Sequence, residues 1–302
     1  MSKGSIQQGV LFKDVAKKPL TVHFDQAYAS SDGGAILLKA CDQRLNLSAR
    51  LAACLHDTRQ ANKVQHSFED LLRHRVFGIA CGYADGNDAA RLAEDPMMKM
   101  TLDRDPVSGA ALASQPTLSR FENTPTAAEL LRMAETLAEV VIERHRKRKR
   151  KAKRITIDLD PTVDPAHGQQ QLSLFNKFYD TRCFLPMAGF LRFDDEADQY
   201  LFAYVLRAGN ALAKQGCLAI LKRVVPKLRR AFPNADILIR LDAGFTGSEL
   251  YEFFEAQGLK YVVCMAKNPV LQALCEPLMA PVRAAVAREA VPEAVFGETP
   301  YQ

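Results

Sequence analysis

Ile155-Thr156-Ile157-Asp158-Leu159-Asp160 and Asp236-Ile237-Leu238-Ile239-Arg240-Leu241-Asp242 each read as a β-strand that runs out of apolar residues at an aspartate. In the first, Ile155, Ile157 and Leu159 alternate with Thr156, Asp158 and Asp160, so one face packs while the other presents acid. The second is nearly continuous in Ile and Leu, which suits a strand covered on both faces. Two parallel neighbours ending this way would set two hard oxygen ligands side by side at one sheet edge. Ligands of open α/β sheets collect at such carboxyl ends.

Around these segments the second half of the chain reads as an ordered string. A strand over 155–160 is followed by strands over about 183–193 and 199–207, with Asp194-Asp195-Glu196 as the turn between them. A helix over 211–232, the strand over 237–242, a helix over 247–257 and a strand over 260–265 complete it. The first three strands form an antiparallel meander, and the helical crossover returns the fourth parallel to the first. That is the order of an RNase H-like mixed sheet with flanking helices. It places Asp160 and Asp242 on neighbouring strands.

Upstream the pattern is helical. Ala35 to Leu45 has helical spacing after the turn Asp32-Gly33-Gly34, and Ser67 to Cys81 carries Phe68, Leu71, Leu72, Val76 and Ile79 on one side. A shorter helix is expected near 87–93. Gln115-Pro116-Thr117-Leu118-Ser119-Arg120-Phe121-Glu122-Asn123 has the small, polar look of a helix that lies on DNA. Thr126-Ala127-Ala128-Glu129 is a capping box that opens a helix to about Arg144, with Leu130, Met133, Leu137 and Val141 as its apolar stripe. The fold class is therefore α/β, preceded by an all-helical N-terminal domain.

Composition narrows the classes. At 302 residues and 48% apolar content the chain can bury real cores. No apolar stretch approaches the length that spans a bilayer, and Met1-Ser2-Lys3-Gly4-Ser5 lacks a signal-peptide core, so a cytoplasmic protein without membrane partners is expected. Seven cysteines with no Cys-x-x-Cys pair read as reduced, mostly buried residues rather than a disulfide or zinc framework. His66 and His74 are two helical turns apart, too far to share a metal, and read as polar surface or satisfied core residues.

Charge is unevenly spread. Arg144, Arg146, Lys147, Arg148, Lys149, Arg150, Lys151, Lys153 and Arg154 form an acid-free run of nine cations; taking them from the chain's net +5 leaves the remainder at −4. The run leads into the strand ending at Asp160, where it would hold positive charge beside the carboxylates. A polyanion is the natural partner.

The first-strand motif, Asp160-Pro161-Thr162-Val163-Asp164-Pro165-Ala166-His167-Gly168-Gln169-Gln170-Gln171, and Leu241-Asp242-Ala243-Gly244-Phe245 resemble the first and second catalytic-aspartate motifs of DDE transposases from bacterial insertion sequences, with the insertion sequence thirteen-eighty family the nearest group. The resemblance extends through Ser31-Asp32-Gly33-Gly34, Asp57-Thr58-Arg59, Gly82-Tyr83-Ala84-Asp85-Gly86-Asn87-Asp88-Ala89 and Gln115 to Glu122, over about residues 20–268. It implies metal-dependent DNA strand cleavage and strand transfer, with Asp160 and Asp242 as catalytic residues and ligands of Mg²⁺ or Mn²⁺. It implies double-stranded DNA partners (terminal inverted repeats and target), a homodimer in the DNA complex, and a nucleoid-associated location. Asp158 competes with Asp160 by alternation, but Asp160 carries the family's Asp-x-Thr pattern, with Thr162 as a nearby hydroxyl.

Under this resemblance the chain divides into a loosely ordered arm (1–20), a helical DNA-binding domain ending in the basic run (21–154), an incomplete catalytic core (155–268) and the start of an inserted segment (269–302). The family's third catalytic residue is a glutamate beyond that segment. Glu276, Glu289, Glu293 and Glu298 lack its surrounding pattern, and Glu249 reads as part of a capping box, Thr246-Gly247-Ser248-Glu249. A truncated enzyme that binds DNA but cuts poorly is expected. The alternative is a non-catalytic DNA-binding relic that occupies element ends. A third reading is an RNase H-like nuclease of other purpose.

Overall fold

A computed structural model describes residues 28–148, 151–168, 170–288, 291 and 294–300. The expected arm (1–20), Lys149, Arg150, Gln169, Glu289 and Glu293 lie outside these residues. The chain divides into two compact units between Lys147 and Arg148.

The described part of the first unit contains α1 (Ala35–Leu45), α2 (Leu47–Ala52), α3 (Phe68–Ala80), α4 (Ala89–Leu92), α5 (Pro96–Thr101), α6 (Gln115–Glu122) and α7 (Ala127–Arg146). Its apolar side chains gather in two clusters, one around Phe77, Met98 and Leu112 and one around Leu71, Leu118 and Phe121. The capping box forms at α7: Thr126 Oγ1 accepts from Glu129 N, and Glu129 accepts from Thr126 N. Glu129 also accepts from His56 N at 2.8 Å, which turns it inward. The apolar stripe consequently differs from the expected one. Leu130 is exposed, Met133 and Leu137 are half-buried, and the buried face runs through Ala138, Val141, Ile142 and His145.

The second unit contains β1 (Arg154–Pro161), β2 (Asp164–Pro165), β3 (Leu174–Asn176), β4 (Thr181–Phe184), β5 (Met187–Phe193), β6 (Tyr200–Val205), α8 (Cys217–Ala231), β7 (Asp236–Leu241), α9 (Ser248–Ala256), β8 (Lys260–Val263) and α10 (Pro269–Val286). The main sheet has the order β6-β5-β1-β7-β8, with β6, β5 and β1 antiparallel and β1, β7 and β8 parallel. This is a mixed α/β sheet with flanking helices. Ile155, Ile157, Ile239 and Leu191 lie wholly inside it, and α8 buries Leu221, Val224, Val225 and Leu228. Hydrophobic burial of this kind is worth roughly 25 cal/mol per Å².

The single strand expected over 183–193 is two. Pro186 has no N–H to offer a ladder, Leu185 N donates instead to Arg207 O at 3.1 Å, and Pro186 O accepts from Thr162 N at 2.9 Å. The segment before Pro186 joins a separate three-stranded sheet, β2-β4-β3. The first helix after the meander starts at Cys217 rather than 211, because Arg207 holds the preceding residues in turns and Gly216 sits at φ +84°.

Two further expectations are corrected. Of the seven cysteines, all free, only Cys183 and Cys217 are buried, while Cys41, Cys264 and Cys275 are exposed. His74 is buried with neither ring nitrogen hydrogen-bonded, so it is not a satisfied core histidine; burial pushes its pKa down to about 4. No helix among the described residues is long and apolar enough to cross a membrane.

Candidate active site

Strand register brings the two strand-end aspartates together. β1 and β7 run parallel, with Asp158 opposite Arg240 as the last paired position, and two residues further along each strand stand Asp160 and Asp242. Neighbouring strands lie about 4.8 Å apart, and period-two alternation keeps both rows on one face. Both carboxylates reach solvent. Partial desolvation, and then the negative charge of Asp242, hold the Asp160 pKa above its ordinary value.

The row below sets the two acids of the first motif in different surroundings. Arg240 forms a two-pronged ion pair with Asp158, Nε to Oδ1 at 2.7 Å and Nη2 to Oδ2 at 2.8 Å. Asp158 is therefore answered by a cation across the ladder, while Asp160 faces another acid. The pattern Asp158-x-Asp160 beside Arg240-x-Asp242 carries that signal in the sequence once the register is known.

Asp242 is fixed from its own loop. Its Oδ1 accepts from Gly244 N at 2.9 Å, and residues 243–245 form a short 3-10 turn behind it. A Cβ on Gly244 would stand 2.6 Å from the Ala213 Cβ and 3.2 Å from Asp242 Oδ1, so only glycine fits this approach. Thr162 lies just past β1, tethered through its backbone to Pro186.

None of the other described carboxylates completes a metal-holding group here. Among the described residues no group of three or more His, Cys, Asp or Glu side chains is placed to hold a metal ion. Glu276 is engaged by Arg283 on α10. Glu249 stands in the first turn of α9, but the capping box expected there does not form. Gly247 is the N-cap without a side-chain bond, and Thr246 Oγ1 donates to Ala243 O.

Within the second unit, the described end of the basic run does not flank the carboxylates. Lys153 and Arg154 enter β1 at its amino end, about 20 Å of strand from Asp160 at 3.3 Å per residue. Their backbone N–H groups donate to Asp194 Oδ1 at 2.7 and 2.9 Å, Arg154 pairs with Asp195 at 2.6 Å, and Arg148 pairs with Glu196. The acidic turn of the meander thus neutralises part of the run. Arg144 and Arg146 lie in the last turn of α7, and Lys147 caps it.

In the first unit the resembling motifs meet in pairs. Tyr83 Oη donates to Asp32 Oδ2 at 2.8 Å, joining the Asp32-Gly33-Gly34 turn to the Gly82–Gly86 segment. Asp57 and Arg59 form an ion pair, and the Arg59 guanidinium stands 4.5 Å over the Phe68 ring. Arg59, Lys63, Thr117 and Arg120 line a cavity of about 450 Å³ on α6, the helix expected to lie on DNA.

Sequence reasoning missed a second basic place, beside the loop that follows Asp242. Lys214, Lys222 and Arg223 line a cavity of about 720 Å³ between the start of α8 and the start of α9. Their separation in sequence and the absence of a motif concealed it.

A family model described as transposase DDE domain group 1 matches residues 12–302. Among solved structures, the piggyBac transposase synaptic complex with hairpin DNA is similar at 15% identity, over 78% of this chain and 51% of that one, with a TM-score of 0.31. The Drosophila P element transposase strand transfer complex is similar at 12% identity, over 69% and 47%, with a TM-score of 0.27. A pre-cleavage Mos1 transpososome is similar at 12% identity, over 87% and 85%, with a TM-score of 0.25. The chain spans about half the length of the first two. No curated protein matches it.

Proposed function

The chain belongs to the transposase DDE domain group 1 family, and from that premise we propose that it performs metal-dependent DNA strand cleavage and strand transfer at the ends of an insertion sequence. On this reading its core is RNase H-like, and its element is a bacterial one of the insertion sequence thirteen-eighty kind. It works on nucleoid DNA in the cytoplasm, as a homodimer across paired ends.

One observation carries the reading: Asp160 stands beside Asp242 at the carboxyl edge of adjacent parallel strands, neither of them in an ion pair among the described residues, while Asp158 directly below is matched by Arg240. Like charges set opposite each other across a ladder are destabilising. A divalent cation relieves that repulsion, and carboxylate oxygens are the donor type Mg²⁺ and Mn²⁺ accept. The residues present therefore fit the group that DDE transposase domains typically use. Bound there, the ion supplies polarisation of a phosphodiester oxygen and activation of the attacking hydroxyl.

The chain's own residues do the rest. Asp160 and Asp242 hold the ion; Gly244 N–H orients the Asp242 carboxylate; Arg240 keeps Asp158 out of competition. Lys151 and Lys153 supply charge for DNA phosphates at the amino end of β1, and Arg144, Arg146 and Lys147 supply it from the first unit. Because no third carboxylate joins the pair among the described residues, cleavage is reduced, by the order of 10² to 10³ that loss of one preorganised catalytic contact costs. The same observation favours the second reading, a DNA-binding protein that occupies element ends without cutting them.

A strand-cleavage assay on duplexes bearing the terminal inverted repeats, with Mg²⁺ or Mn²⁺, tests both. Slow nicking that disappears in Asp160→Asn supports the enzyme. End binding with no nicking supports the occupying relic. Nicking that survives Asp160→Asn removes the site, and rapid nicking removes the impairment.

A further inference from the structure

The carboxylate edge repels the substrate it is proposed to cut, and Lys153 and Arg154 lie at the other end of β1, so the second unit needs further cations near the reacting phosphate. The cavity between α8 and α9 supplies them. Lys214 precedes α8, Lys222 and Arg223 lie along it, and Gly247, Ser248 and Glu249 form the facing wall. Three cations stand against one carboxylate, and the first turn of α9 adds the positive end of its peptide dipoles.

The turn that lines one side of this cavity, with Leu212, Lys214 and Gln215, is clamped from behind. Arg207 donates from Nη1 to the carbonyls of Leu212 (3.0 Å), Ala213 (3.1 Å) and Gln215 (2.8 Å), and from Nε to Leu185 O (2.8 Å). That clamp fixes the turn from which Lys214 projects. Lys214 Nζ donates to Thr246 O at 3.2 Å, in the loop that follows Asp242, and Ala213 abuts Gly244 in the same loop. The cavity rim and the Asp242 loop are thus in direct contact.

We propose that this cavity is a phosphodiester subsite, in which Lys214, Lys222 and Arg223 hold backbone phosphates of the DNA strand next to the one being cut. The inference rests on the function proposed above and assigns that function a binding surface. About 720 Å³ admits a length of sugar–phosphate backbone, and the mouth, open along exposed Lys222 and Arg223, lets the strand continue in both directions. The expected division of labour is that the carboxylates hold the metal while the cavity holds the polymer.

The test uses the full chain and a short fluorescein-labelled DNA duplex, with affinity measured across a salt series. Each phosphate contact contributes about 0.9 to the slope of log K against log salt. Lys214→Gln, Lys222→Gln and Arg223→Gln combined should lower that slope by about 2 to 3 and weaken binding at least about tenfold. Lys227→Gln, Arg229→Gln and Arg230→Gln, which remove equal charge from the far end of α8, should lower it by less than about 1. Lys222→Gln alone, an exposed substitution that spares folding, should lower it by about 0.9. Wild-type slope in the cavity variants, or an equal loss in the control, overturns the subsite while leaving the transposase reading in place. No DNA binding by the wild type overturns the reading itself.

Discussion

The two ends of β1 treat charge in opposite ways. At the amino end three acids meet donors: Asp194 accepts from Lys153 and Arg154 N–H, Asp195 pairs with Arg154, and Asp236 on the neighbouring strand pairs with Lys260 at 2.8 Å. At the carboxyl end Asp160 stands beside Asp242, and partial desolvation, then the Asp242 charge, raise the pKa of Asp160. Charges the fold resolves internally serve the fold. Charges it leaves opposed are available to a ligand.

The comparison predicts a crossed pattern of mutant effects. Asp160→Asn or Asp242→Asn should cut metal-dependent cleavage by at least about 10² to 10³, while thermal stability stays equal or rises by about 0.2–1 kcal/mol as the like-charge pair is relieved. A loss of stability with retained cleavage would invert the contrast. Asp194→Ala should do the reverse: it removes the acceptor of two N–H groups that start β1, costing about 1–3 kcal/mol by denaturant melt, with cleavage within a few-fold of wild type.

A third acid, in the other unit, sharpens the rule. Glu129 accepts from Thr126 N, His56 N and the Thr126 hydroxyl, and these bonds hold its pKa down to about 2 from an ordinary 4.5. Because the folded value is depressed, its stabilising contribution is complete above pH 4.5 and is lost as pH falls from there through about 2. The stability difference between wild type and Glu129→Gln should therefore shrink across that window in melts at stepped pH. A constant difference would break the rule. Smallest of all is Asp158→Asn. Its partner Arg240 is substantially exposed, so the pair is worth about 0.2–1 kcal/mol, and cleavage should change little.

How much of this was legible depended on whether the cause was local. β1 and β7 declared themselves because their apolar residues stop at acids, and their sequence order fixed their adjacency. Thr126-x-x-Glu129 and Thr246-x-x-Glu249 look alike as strings, yet only the first caps a helix. At the second, Gly247 takes an extended conformation as N-cap and the Thr246 hydroxyl turns back to Ala243 O. The β2-β4-β3 sheet was invisible because its strands are very short and its closure is tertiary: Asn176 Nδ2 reaches Gly209 O, far along the chain, at 2.7 Å. The basic run was visible as charge, but its partners in the acidic turn depended on the β1–β5 register. Lys214, Lys222 and Arg223 were invisible as a group because a turn and a helix had to bring them together.

Gly244 has a consequence for enzyme economy of motion. With no slack between the turn that aims Asp242 and Ala213 beside Lys214, a shift of one is mechanically transmitted to the other. Grip on the polymer and aim of the acid then become a single adjustable quantity, so a bulky residue at position 244 should disturb both at once.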